Sequence, residues 1–197
     1  MDFQFTDEQR MMKETVYKWA LKELGPLQEK IDEEDWFSPD FFKKCAELGI
    51  LGITISEEYG GLDGDILMQT LAVEEMSRIC PALAMTYGTH SNLCANNIHR
   101  NASPALKKRY LPPLVAGEKI GALALTEPNA GSDAMGIRTR AVKKGDRFIL
   151  NGSKMFITNG PVADILLVYA KTVPEKGAKG ISAFIVEKDF PGFFVSR

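Results

Sequence analysis

The chain has only three cysteines in 197 residues, Cys45, Cys80 and Cys94, and none stands in a C-x-x-C spacing. An odd, scattered set gives no disulfide framework and no zinc ligand pattern, so buried free thiols in a reducing compartment are expected. Histidine is scarcer still: His90 and His99 have no acidic neighbour at ligand spacing, which argues against a metal centre. No apolar run approaches the ~20 residues that a bilayer-spanning helix needs, so no membrane partner is expected. Neither sign of charge dominates. The 24 Lys and Arg and 26 Asp and Glu are interspersed and sum to −2, leaving no basic stripe to follow a phosphate backbone and so no nucleic-acid partner. The opening Met1-Asp2-Phe3-Gln4-Phe5 has neither the basic-then-apolar layout of a signal peptide nor an Arg-rich transit character. A bacterial cytoplasm is the expected compartment, or the mitochondrial matrix for a processed organelle protein. A G-x-G-x-x-G string is also missing, so no Rossmann argument applies.

What is present is a composition with 45% hydrophobic and 25% charged residues, enough to bury a core without staples. Residues 1–118 carry helical signals. Thr6 and Gln9 form a capping box, followed by Met12, Val16, Trp19 and Ala20 at spacings of three and four, and Gly25-Pro26 stops that helix. Ser38-Pro39-Asp40 predicts a second start with serine as cap, closed at Gly49. A third helix is expected after Asp65, with Leu67, Leu71 and Val73 inward, a fourth over about Leu83 to Ile98, and a last from Ser103-Pro104 to Gly117.

From Gly121 the periodicity changes. Short apolar runs at Ala122–Leu125, Thr139–Lys143, Arg147–Leu150, Lys154–Thr158, Ile165–Ala170 and Ile181–Val186 alternate with Gly- and Asn-containing turn signals, read as hairpins. Helices followed by strands predict an α+β chain: a helical domain over 1–118, then an antiparallel β-domain or partial barrel over 119–197. The closing Phe193-Phe194-Val195-Ser196-Arg197 reads as a strand with no following partner. An unpaired apolar edge is an aggregation liability, so the expectation is that the chain is a piece of a longer protein.

Two segments carry candidate chemistry. In Leu123-Ala-Leu-Thr-Glu-Pro-Asn-Ala-Gly-Ser-Asp133 a strand enters a loop whose Pro128, Asn129 and Gly131 let backbone amides converge, with Ser132 adding a hydroxyl. Such a curl suits an anion, and equally suits an ordinary surface turn. In Lys154-Met-Phe-Ile-Thr-Asn-Gly160, strand alternation puts Phe156 and Thr158 on one face, either to shield and hydrogen-bond a planar ring or to pack in the sheet.

Taken together, Leu125-Thr-Glu-Pro-Asn-Ala-Gly-Ser-Asp133 and Asn151-Gly-Ser-Lys-Met-Phe-Ile-Thr-Asn-Gly160 closely resemble the two flavin signatures of the acyl-CoA dehydrogenases. Glu57-Glu58-Tyr59-Gly60-Gly61, Phe184-Ile-Val-Glu-Lys188 and Pro191-Gly192 extend that resemblance along the chain. It implies FAD as cofactor and α,β-dehydrogenation of an acyl-CoA thioester, with hydride passing to flavin N5. By resemblance, Leu123, Leu125 and Thr126 line the ring, Gly131 and Ser132 meet the pyrophosphate, Phe156 stacks beside the ring and Thr158 bonds N5. Ser132 and Lys179 would approach the CoA moiety, and Leu93 and Ala95 would border the acyl pocket. The catalytic base is a glutamate of the family's carboxy-terminal helical domain, so no catalytic residue is expected in this chain. Glu127 is assigned to holding the loop, and the isolated chain is expected to be inactive. Tyr87–Cys94 and Gly160–Lys171 look most like the isovaleryl-CoA and short-branched-chain members. An electron-transfer flavoprotein as acceptor and a homotetramer of the full-length protein are also implied. An acyl-CoA oxidase or flavin monooxygenase on the same scaffold, or a non-catalytic fragment, are the alternatives.

Overall fold

Thr6 begins the first helix by hydrogen bonding. Its hydroxyl accepts from the Gln9 amide at 3.2 Å and its own amide donates to the Gln9 side chain at 3.1 Å, closing the expected capping box. The computed structural model describes residues 4–196. Met1–Phe3, part of the amino-terminal reading, and Arg197, the last residue of the expected terminal strand, lie outside the described residues. The chain divides into two compact units, Met1–Lys119 and Ile120–Arg197.

In the first unit, α1 (Asp7–Glu23) buries Val16 and Ala20 and packs on α4 (Ile66–Ser77). In chain order α2 (Gln28–Glu34) and α3 (Phe41–Glu47) come between the two. The α3 helix starts later than expected: Ser38 makes no side-chain cap, and its buried backbone oxygen accepts from the Phe41 amide instead. Asp65 caps α4 through the Met68 amide at 2.7 Å. The face that α4 buries holds Leu71, Ala72 and Met76, whereas Leu67, expected inward, is exposed. From Pro81 to Asn101 the chain is helical throughout, as α5 (Pro81–Gly88), a π-helical segment (Thr89–Asn96) and α6 (Asn97–Asn101). Wide turns of this kind are rare and expand the helix locally. Within the segment Ala95 is buried and Leu93 exposed. His90 is a core histidine, its Nε2–H on the Leu114 carbonyl at 3.0 Å, and burial lowers its pKa to about 4. Helix α7 (Pro104–Val115) follows Ser103, which caps it. Cys45, Cys80 and Cys94 are buried and none is in a disulfide. Among the described residues no cluster of three or more His, Cys, Asp or Glu is placed to hold a metal, and no helix is long and apolar enough to cross a membrane.

The second unit is a five-stranded sheet built on β4 (Ile165–Lys171), buried on both faces as a continuous apolar run requires. The antiparallel strand β5 (Ile181–Glu187) pairs with β4 along its whole length and occupies one edge. The other edge is shared. Strand β1 (Gly121–Ala124) runs parallel to β4 as far as Val168, and β2 (Arg140–Lys144) joins opposite Lys171, also parallel. A two-residue turn at Gly145-Asp146 links β2 to antiparallel β3 (Arg147–Asn151), with Gly145 at φ 63°. The sheet is therefore mixed, where a wholly antiparallel one was expected. The glycine and asparagine signals after β3 do not mark hairpins. Asn159-Gly160 turns the chain into β4, and Lys154–Thr158 forms no strand. Nor does the terminal run: Phe193 packs half-buried on the sheet core and Phe194 is exposed.

Gly152 has a different role from the turn glycine expected there. A Cβ at that position would lie 2.3 Å from Thr139 Oγ1 and 2.7 Å from Thr139 Cα. The Gly152→Ala variant is expected to lose about 1–3 kcal/mol through overpacking. An unchanged urea midpoint would remove this account of the glycine.

Candidate flavin site

The site begins where β1 leaves the edge of β4. Residues 127–130 close on themselves, the Glu127 and Ala130 amides each donating to the other's carbonyl at 3.0 and 3.1 Å. Pro128 and Asn129 form the exposed tip of this turn. Gly131 and Ser132 follow, also exposed; their amides and the Ser132 hydroxyl bond no described residue. Gly131 is not in the left-handed region, and a Cβ built on it meets nothing within 4 Å. The curl therefore comes from the 127–130 turn and from Asp133, which accepts from the Gly136 amide at 3.2 Å, and not from backbone freedom at Gly131. What Gly131 leaves open is space outside the chain.

The second segment lies directly against the first. The Met155 amide donates to the Thr126 carbonyl at 2.9 Å, and the Lys154 ammonium donates to the Leu125 carbonyl at 2.9 Å. Further on, the Asn159 side chain donates to the Gly121 carbonyl at 3.1 Å. Residues 154–159 thus run back along β1 without forming a ladder. The ladder fails because Phe156 and Asn159 sit at φ 57° and 66°. Asparagine tolerates that region; phenylalanine there carries a cost of ~1–2 kcal/mol. Yet Phe156 is 88% exposed, so no burial offsets the strain. Met155 and Met135 are exposed as well. Such strain without internal compensation points to a group that acts on something outside the chain. Thr126 and Thr158 are half-buried, and their hydroxyls bond no described residue.

Glu127 could act as a base or as a loop holder, and its contacts decide between the two. The carboxylate belongs to a buried side chain and accepts from the backbone amides of Arg138 and Thr139, the latter at 3.0 Å, and from Lys154 Nζ at 2.8 Å. Burial raises its pKa, but the Lys154 ammonium and the amide donors outweigh that and bring it down to about 2. A carboxylate so held is a poor proton acceptor. Burial lowers the pKa of Lys154, with Glu127 acting against that shift.

Of the other residues singled out, Leu123 is half-buried on β1 and Leu125 half-buried just beyond it. Lys179 is exposed on the 3-10 connection Pro174–Gly180, which leaves the same carboxyl end of β4 as the loop. Sequence reasoning passed over Lys154 and Asn159. Both lie inside the second motif, but their partners are distant in the chain: the Leu125 carbonyl and Glu127 carboxylate for Lys154, the Gly121 carbonyl for Asn159.

Two outcomes are expected. Phe156→Gly should stabilise the ligand-free protein by about 1 kcal/mol by relieving the left-handed strain, while weakening retention of whatever the site binds; destabilisation in urea would show that the ring is structural. For Glu127, the folded pKa lies below the ordinary 4.5, so its contribution is present above that pH and is lost as pH falls towards 2. The stability gap between wild type and Glu127→Gln should then shrink by about 3 kcal/mol across that window. A gap that is flat with pH would contradict the assignment.

Exposed amides and hydroxyl at 131–132, hydroxyls at 126 and 158 that bond no described residue and an unburied aromatic at 156 suit a flat ring with a polar edge and an anionic tail. Comparison with known proteins shows the family of the chain. Residues 6–118 match the family model described as acyl-CoA dehydrogenase, N-terminal domain, and residues 122–197 the acyl-CoA dehydrogenase, middle domain. The short-chain specific acyl-CoA dehydrogenase of Clostridium acetobutylicum is 46% identical over 197 residues, covering 100% of this chain and 52% of that protein. The mitochondrial isovaleryl-CoA dehydrogenase of Pongo abelii is 48% identical over 198 residues, covering 98% and 46%. Among solved structures, butyryl-CoA dehydrogenase from Megasphaera elsdenii superposes with a TM-score of 0.91 at 42% identity, covering 98% of this chain and 51% of that one. PigA with FAD and proline gives 0.91 at 35% identity, with 98% and 51% covered. The chain spans about half the length of the curated relatives it matches. It belongs to the acyl-CoA dehydrogenase family.

Proposed function

We propose that this chain supplies the FAD cradle of an enzyme that dehydrogenates an acyl-CoA thioester at its α,β bond. The observation that carries the reading is the pairing of the two motif segments, which leaves the Thr126 and Thr158 hydroxyls and the exposed, strained Phe156 ring without partners among the described residues. When bound, FAD would supply the acceptor for the β-hydrogen. The chain's own groups bind and orient. Thr126 and Thr158 would donate to the polar edge of the ring, Leu123 and Leu125 would line it and Phe156 would cover it. The exposed amides of Gly131 and Ser132 would hold the diphosphate, as backbone nests hold anions. Alignment of cofactor and substrate is the catalytic contribution such a scaffold makes.

Glu127 is committed to its internal donors, so the proton acceptor would come from residues beyond this chain. Ser132 and Lys179 would meet the CoA portion. Relatives named for short-chain and isovaleryl substrates favour a short or branched acyl group. The whole protein would reduce an electron-transfer flavoprotein and assemble as a tetramer, in a bacterial cytoplasm or a mitochondrial matrix. The helical and β-domains, 1–118 and 119–197, would be its first two domains.

The test is anaerobic mixing of the FAD-loaded full-length protein with isovaleryl-CoA and butyryl-CoA, following loss of visible flavin absorbance. Thr158→Ala should slow bleaching about tenfold, the equivalent of one hydrogen bond to a developing charge, and the 197 residues alone should bind FAD without bleaching. A full-length protein that takes up no FAD would end this reading.

A further inference from the structure

Residues 125–139 leave the edge of β4 opposite Val168 and return to the same edge opposite Lys171, three strand positions on and roughly 10 Å away. This excursion carries Thr126, Gly131 and Ser132, and one carboxylate closes its neck. Glu127, at the outgoing end, accepts the amides of Arg138 and Thr139 at the returning end. The same carboxylate accepts from Lys154 Nζ at 2.8 Å, and Lys154 also donates to the Leu125 carbonyl at 2.9 Å. Lys154 therefore brackets Thr126, with one bond to the residue before it and one to the residue after. The Met155 amide takes the carbonyl of Thr126 itself. Three consecutive residues are thus pinned by two from the segment that bears Phe156 and Thr158. The Glu127 and Lys154 side chains are only 6% and 11% exposed.

We propose that the buried Glu127–Lys154 pair is the positioning brace of the cofactor site: it fixes Thr126 in register with the Phe156–Thr158 segment so that both hydroxyls address one bound ring. Neither residue is catalytic. The inference rests on the flavin reading above and goes beyond it by naming what holds the two motifs in place. A neutral substitute cannot do the same work. The Glu127→Gln change keeps the shape of the side chain but presents an NH₂ group to a neighbourhood of donors, namely two amides and an ammonium. Removing either partner alone leaves the other charge buried and unpaired, which is why single losses in such pairs are severe and double losses milder.

The experiment uses the full-length protein with Glu127→Gln, Lys154→Met and the double variant. Three quantities are read: the FAD dissociation constant, from quenching of flavin fluorescence on binding; the visible circular dichroism of bound flavin; and the urea midpoint of FAD-free protein. Each single variant is expected to raise the FAD dissociation constant at least about tenfold and to alter the flavin dichroism. The double variant should be no worse than the worse single one, the non-additivity of a coupled pair. Variants with a lowered midpoint but unchanged FAD affinity and dichroism would overturn the brace and leave a merely structural pair, while the flavin reading stands. A wild-type protein that binds no FAD would overturn both. Should Glu127→Gln not fold, Glu127→Asp keeps the charge and shortens its reach. Altered dichroism at an unchanged midpoint would then support the brace, and unaltered dichroism would overturn it.

Discussion

The edge of β4 that faces away from β5 is shared by two strands, and the rest of the second unit follows from that sharing. Strand β1 pairs with it up to Val168 and then stops; β2 arrives opposite Lys171. The fifteen residues from Leu125 to Thr139 are thereby forced off the sheet and back again over a short gap. Backbone leaving a ladder must find other partners or stay exposed to water. Here part of it closes on itself at Glu127–Ala130, part is satisfied by residues 154 and 155, and part, at Gly131 and Ser132, bonds no described residue. The unbonded portion is the one suited to an anionic ligand.

The same logic explains why residues 154–159 are irregular. A regular strand along β1 would spend its amides on a ladder and alternate its side chains across the sheet. The left-handed turns at Phe156 and Asn159 break that alternation and push the aromatic ring outward. Ile157, between them, still packs against the core formed by Ala122, Ala124, Leu166 and Val168. One residue anchors the segment while its neighbours are presented to solvent. Rigid presentation of this kind lowers the entropy that ligand binding must otherwise overcome.

The first unit has a buried hydrogen-bond network centred on Tyr87, although Gln69 Oε1 bonds no described residue. Tyr87 donates to the Ile50 carbonyl at 2.8 Å, and Gln69 donates to both Tyr87 and Ser91 at 3.0 Å. Ser91 donates to the Tyr87 carbonyl at 2.8 Å within the run of helix that widens into the π segment. A buried, hydrogen-bonded network of this sort specifies one packing of helices α4 and α5 around the wide turns. The turn at Glu57–Gly61 is fixed by crowding: a Cβ on Gly61 would fall 2.1 Å from the Ile55 carbonyl oxygen.

Local chemistry was legible in the amino-acid sequence wherever neighbours in the chain decide the outcome. The capping box at Thr6, the Asp65 and Ser103 caps, the Gly49 and Gly117 terminations, the Gly145-Asp146 hairpin and the apolar run of β4 all depend on contacts within a few residues. The motif strings were legible as well, and with them the family. Strand direction was not. Gly and Asn mark tight turns, close approaches and left-handed residues with the same letters, and only the partner tells them apart: Thr139 for Gly152, Gly121 for Asn159. Nor could spacing show that Lys154 reaches back to Leu125 and Glu127, because a lysine's reach is set by where the fold brings its acceptors. The sequence by itself determined the elements and the chemical groups available. Tertiary structure decided which of those groups bond one another and which remain open to a ligand, since hydrogen bonds between residues far apart in the chain exist only once the strands between them have paired.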